Sequence, residues 1–117
     1  EAMLPRFVGG FNRGDARAKE VTRQLLDLAD PRPSTDVLAA GLAWLRDVDL
    51  CAEAPQVRCP TLLVHGAADP LMPAAAAEAL AARIPGARLA VMADCAHAPF
   101  VSQPEAFLAV VRPFLND

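Results

Sequence analysis

Apolar residues recur at helical spacing in the first part of this chain and form short unbroken runs in the second. Between residues 13 and 30, RGDARAKEVTRQLLDLAD sets Ala18, Val21, Leu25 and Leu28 on one side of a helix. PRP at 31–33 ends it, because proline lacks a backbone N–H and restricts the residue before it. STDVLAAGLAWLRDVDL at 34–50 predicts a second helix, with Ser34 or Thr35 as cap and Leu38, Leu42 and Leu45 as its apolar row. Gly41 lowers its helix propensity and allows close packing. Two helices with a proline-rich connection predict an αα-hairpin.

The pattern then changes. VRCPTLLVHG at 57–66 holds a short continuous apolar run, as expected of a strand buried on both faces. PAAAAEALAARIPG at 73–86 predicts a helix, with Pro73 suited to its first turn and Pro85-Gly86 to its end. ARLAVMAD at 87–94 predicts a second strand. Ser102 and Glu105 match a capping box that opens a last helix, PEAFLAVVRPFL, which Pro113 is expected to truncate or bend. Strand, helix, strand, helix is a βαβ unit with a parallel pair. Two parallel strands cannot bury both faces, so further sheet is expected elsewhere, in sequence outside these residues or in another copy.

Composition narrows the picture. The 117 residues suffice for one domain, and 54% are hydrophobic with 21% charged, which excludes a disordered chain. The net charge of −3 comes without any block of like charge, which argues against a nucleic-acid partner. No apolar stretch approaches the ~20 residues needed to span a bilayer, so no membrane partner is expected. Cys51, Cys59 and Cys95 are odd in number and lack CxxC spacing, which suggests reduced thiols in the cytosol. No signal-peptide pattern opens the chain, and Glu1 is not expected to be a native start.

Catalytic groups of open α/β sheets lie beyond the carboxyl ends of strands. Asp69 sits beyond the first strand, in HGAADPLMP, and His97 beyond the second. Adjacent parallel strands bring such loops together, and a carboxylate on an imidazole fixes its tautomer for base catalysis. The alternative is that Asp69 starts a turn with Pro70 and His97 caps a loop. Cys95 lies two residues before His97, but neighbouring loop residues rarely present nucleophile geometry. The His and Cys spacings match no common zinc site, and no metal is expected. His65, at a strand end, reads as structural.

LLVHGAADPLMP followed by AHAPFVSQPEAF resembles the C-terminal part of an α/β-hydrolase, whose triad runs Ser, then Asp or Glu, then His. HAPF, a serine and PEAF resemble one branch closely, the pimeloyl-[acyl-carrier protein] methyl ester esterases of biotin synthesis. DVLAAGLAWLRDVDL resembles that family's cap helix and its return to the core, and RF at 6–7 and RGDAR at 13–17 its earlier cap segment. The resemblance implies a fold of class α/β, with residues 1–50 a helical cap and 51–117 the last βαβα of a parallel sheet. It makes Asp69 the triad acid and His97 the general base.

In the same branch, cap arginines receive the acyl carrier protein and its phosphopantetheine arm, and Arg6, Arg13 and Arg17 match such positions. Guanidinium suits the task, because it binds phosphate bidentately. A helix reaching back to residue 13 would set Arg13, Arg17, Val21 and Leu25 in one row; the alternative is solvated arginines on a helix face. Phe7 matches an acyl-contact position. The VGGF that follows is shortened relative to the family, with Val8 and Phe11 as candidate pocket residues.

No GxSxG occurs. The serines, Ser34 and Ser102, lie in a proline-rich turn and at an expected helix cap, not at a strand–elbow–helix. The resemblance therefore implies part of a cytosolic serine carboxylesterase acting on a carrier-bound methyl ester without metal or cofactor, its nucleophile outside this chain. Other readings are a small-ester or C–C bond hydrolase of the same fold, or a non-catalytic self-associating module. An incomplete sheet leaves edges and apolar faces in need of a partner, so the chain alone is expected to form a homodimer and to be inactive.

Overall fold

A computed structural model describes residues 3–116. It has six α-helices and two strands among these residues: α1 (Met3–Phe11), α2 (Ala18–Leu28), α3 (Thr35–Asp47), β1 (Leu62–Gly66), α4 (Ala74–Arg83), β2 (Arg88–Met92), α5 (Pro99–Ser102) and α6 (Pro104–Leu115), with a 3-10 turn at Ala54–Gln56. The strands are parallel, with Leu62 opposite Arg88 and Gly66 opposite Met92. α4 joins them and packs on both, while α5 and α6 pack on β1. The arrangement is a two-stranded parallel sheet with helices from the same chain against it.

Several expectations change here. α1 precedes the first predicted helix, and the chain turns between α1 and α2. Gly14 at φ 95° and the Asp15 side chain, which accepts the Arg17 N–H at 2.7 Å, hold a turn there. The helix consequently starts at Ala18 and does not reach residue 13, so Arg13 does not join Arg17, Val21 and Leu25 in one row. The expected αα-hairpin is not formed as a packed pair. α3 is capped by Ser34, whose hydroxyl accepts the Val37 N–H, but it has no buried residue.

β1 was expected to be buried on both faces, yet Leu62, Leu63, Val64 and His65 are only half-buried. The cause is that β2 pairs with one edge and nothing among the described residues pairs with the other. The buried residues gather instead where the α1–α2 segment meets the loop after β2: Asn12, Asp15, Val21, Cys95, Ala96, Ala98 and Ser102. Ser102 does not cap α6; it lies in α5 and donates its hydroxyl to Asp15, and Gln103 takes the cap position with its side-chain amide turned to Ala93 O rather than to the helix end. Pro113 neither ends nor truncates α6, which runs to Leu115. It lies in the last turn, and the Arg88 guanidinium, 4.8 Å from the Phe114 ring centroid, holds that turn against β2. No helix among the described residues is long and apolar enough to cross a membrane.

Candidate functional site

Both strands run toward one end of the sheet, and the loop that leaves each carries one chemical group. β1 ends at Gly66, where the backbone turns sharply: Asp69 N–H donates to Gly66 O at 3.2 Å and Ala68 N–H to Cys95 O at 3.0 Å. The second bond ties the two loops together. Gly66 is required by contact, since a Cβ there would overlap the Ala96 carbonyl. Beyond β2, Asp94 takes a left-handed φ of 58°, and the chain doubles back through Cys95 and Ala96 to present His97.

Asp69 and His97 then meet. His97 Nδ1 lies 2.8 Å from Asp69 Oδ2. The Asp69 side chain is 3% exposed and that of His97 38%, so the acid is enclosed while the imidazole reaches solvent. The other carboxylate oxygen, Oδ1, accepts the N–H groups of Leu71 at 2.8 Å and Met72 at 3.0 Å. Burial pushes the Asp69 carboxyl upward. The bonds from the Met72 N–H, His97 and the Leu71 N–H outweigh burial and hold it below the usual carboxylate range. An ionised carboxylate accepts only, so His97 carries its proton on Nδ1 and leaves Nε2 as the basic atom.

His65 supports the same turn from β1. Its Nε2 lies 2.8 Å from Met72 O and 4.0 Å from Asp69 Oδ2. The carbonyl is an acceptor, so His65 donates from Nε2 and ties the end of the acid loop to the strand.

The cap candidates separate into groups. Arg6, Phe7, Phe11 and Arg13 line one cleft of about 390 Å³ together with Pro70 and Leu71 of the acid loop. The Phe7 and Phe11 rings meet edge to face at 5.4 Å, and Phe11 lies 5.0 Å from the His97 ring. An aromatic path thus runs from the two arginines to the imidazole. Val8 is buried and does not line this cleft. Arg17 also lies outside it: its guanidinium donates to Ser102 O at 2.8 Å and pairs with Glu20 at 2.6 Å.

The weaker candidates have other roles. Cys95 is fully buried, its Sγ donates to Met92 O at 3.4 Å, and burial pushes its thiol up, with Asp15 and Asp94 adding to the effect, so it is not a thiolate nucleophile. No His, Cys, Asp and Glu cluster suited to a metal occurs among the described residues. Ser34 caps α3 and the Ser102 hydroxyl is committed to Asp15, so neither is poised as a nucleophile. Asp15 was missed in the sequence, although an acidic residue directly after a glycine and just before a helix is a turn-forming signal.

Comparison with known proteins agrees with this geometry. The profile of the alpha/beta hydrolase family matches residues 2–110. The pimeloyl-[acyl-carrier protein] methyl ester esterase of Aromatoleum aromaticum is 50% identical over 108 residues, 89% of this chain and 42% of that protein. The enzyme of the same name from Serratia marcescens is 37% identical over 98% of this chain and 46% of its own length. An esterase from Exiguobacterium antarcticum, 23% identical, superimposes with a TM-score of 0.84 over 97% of this chain and 42% of its own. The chain therefore spans less than half the length of these relatives. Asp69 and His97 follow consecutive parallel strands in the order in which the hydrolase fold places its carboxylate and histidine, and the chain belongs to the alpha/beta hydrolase family.

Proposed function

We propose that this chain supplies the acid and base of a cytosolic serine carboxylesterase that hydrolyses the methyl ester of a pimeloyl chain carried on acyl carrier protein. The observation that carries the reading is the Asp69–His97 pair with Phe11 against its imidazole and the Arg6–Arg13 cleft beside it. The similarity to esterases of that name supports the substrate class.

The chemistry follows from the hydrogen bonds. His97 Nε2 takes the proton of a serine hydroxyl contributed from outside these residues, and Asp69 stabilises the imidazolium that forms. Serine attack on the ester carbonyl gives a tetrahedral oxyanion; its collapse expels methanol, which takes the proton from His97. Water then repeats the sequence on the acyl-enzyme and releases the free acid. No metal or organic cofactor takes part. Arg6 and Arg13 suit the phosphate of a phosphopantetheine arm, and Phe7 and Phe11 suit the methylene chain. Val8, which is buried, and Arg17, which is committed to Ser102 and Glu20, have no part in this contact.

The test is made in the complete enzyme. Arg13→Ala is expected to slow carrier-bound ester while sparing small free esters, with an effect that shrinks as salt rises. Equal loss on both substrates would refute the carrier assignment. The 117-residue chain alone is expected to show no turnover of p-nitrophenyl esters; turnover abolished by His97→Ala would refute the external nucleophile.

A second reading, self-association, is favoured by α3 and the sheet edge. Trp44 and Leu45 are 75% and 81% exposed, and the outer edge of β1 is unpaired among the described residues. A second copy would cover both through a two-fold contact. Light scattering at micromolar concentration is expected to give a homodimer; a cooperatively unfolding monomer overturns it.

A further inference from the structure

The Asp15 carboxylate is buried, and no step above uses it. Its Oδ2 accepts the Ala96 N–H at 2.9 Å, and its Oδ1 accepts the Arg17 N–H at 2.7 Å and the Ser102 hydroxyl at 2.8 Å. Ala96 immediately precedes His97, so a carboxylate 81 residues away in sequence holds the backbone beside the base. Neighbouring contacts close the same joint. Ala16 N–H donates to Asp94 O at 3.0 Å, and Arg17 donates to Ser102 O at 2.8 Å. Gly14, at φ 95°, lies so near Ala68 that an added Cβ would stand 3.2 Å from its Cβ and its carbonyl. Ala68 precedes the acid as Ala96 precedes the base. Four successive residues, Gly14 to Arg17, therefore bear on both loops of the dyad.

The loop needs such a hold. Asp94 sits in the left-handed region, which aspartate tolerates better than most side chains and which turns the chain sharply before the base. The imidazole is partly exposed, and its bond to Asp69 and its contact with Phe11 depend on where the loop places it. Leaving the Ala96 N–H without an acceptor in this buried site is costly.

We infer that Asp15 is a positioning residue for the general base: by anchoring the Ala96 N–H it sets the loop so that His97 Nδ1 faces Asp69. The inference rests on the reading of His97 as that base. Asn at position 15 tests it, because its NH2 must face either the Ala96 N–H or the Arg17 N–H and leaves one of them unpaired.

The experiment is NMR of the 117-residue chain, whose two histidines report separately. His97 Nδ1–H bonds Asp69, and His65 Nε2–H bonds Met72 O and serves as internal reference. In Asp15→Asn the downfield His97 Nδ1–H signal is expected to vanish into exchange with water and the Ala96 amide to exchange at least about tenfold faster, while His65 is unchanged. Asp15→Glu is expected to restore part of the signal. An unchanged His97, or equal loss at both histidines, overturns the inference. Should Asp15→Asn unfold, Ser102→Ala, which removes one anchor of the carboxylate, is expected to weaken the His97 signal alone, and no change there overturns it. Absence of the Nδ1–H signal in the unsubstituted chain overturns the dyad itself, a distinct result.

Discussion

The carbonyl of Ala96 rests against the backbone of Gly66, leaving no room for a side chain at the end of β1. The contact joins the strand that leads into Asp69 to the loop that carries His97. It makes the spacing between Asp69 and His97 depend on a missing methyl group. Gly66→Ala must push the two apart, and overpacking of this kind costs about 1–3 kcal/mol. Denaturant unfolding is expected to show that loss, together with loss of the His97 Nδ1–H signal; an unchanged midpoint and signal would mean the loop yields freely.

Acid should weaken the fold through Asp69. Its carboxyl is lower in the folded chain than in the unfolded one, so the unfolded state binds the proton more readily. The stabilisation is therefore present above the unfolded value of about 3.9 and disappears as the pH falls through the folded value. Unfolding free energies at pH 7 and pH 3 are expected to differ less in Asp69→Asn than in the parent chain. An equal difference would show that Asp69 does not contribute to the acid sensitivity.

The three thiols should separate by reactivity. Cys51 and Cys59 are exposed, whereas Cys95 is fully buried with its thiol pushed up by burial. Alkylation of the native chain at pH 7.5, a working value chosen below the ordinary thiol pKa of about 8.5, is expected to label the first two and spare Cys95 until denaturant is added. Native labelling of Cys95 at a similar rate would contradict the packing of the loop after β2.

Packing energy should lie at the α2 contact rather than along α3. Val21 is 1% exposed, and Val21→Ala is expected to cost about 2 kcal/mol through lost burial and the cavity left behind. Leu45→Ala on α3 is expected to change monomer stability by less than about 0.5 kcal/mol. Calorimetry at a concentration where the chain is monomeric separates the two; comparable losses would show that α3 is packed in solution.

The sequence alone determined the α/β class, the parallel pair and the meeting of Asp69 with His97. Unbroken apolar runs at 62–64 and 89–92 mark strands locally, and consecutive parallel strands bring Asp69 and His97 to one end without further information. Proline and the Ser34 cap likewise act within a few residues, so the start of α3 was legible. The tertiary structure decided what depends on distant partners. Whether residues 13–17 are helix or turn is settled by Gly14 beside Ala68 and Asp15 on Ala96, contacts across more than 50 residues that local periodicity does not encode. The same carboxylate accepts the Ser102 hydroxyl, and Ser102 does not cap α6 because it lies within α5, with Gln103 at the cap position. Arg6 and Arg13 share a cleft while Arg17 turns to Ser102 for the same reason: a turn, unlike a helix, does not repeat its direction every four residues.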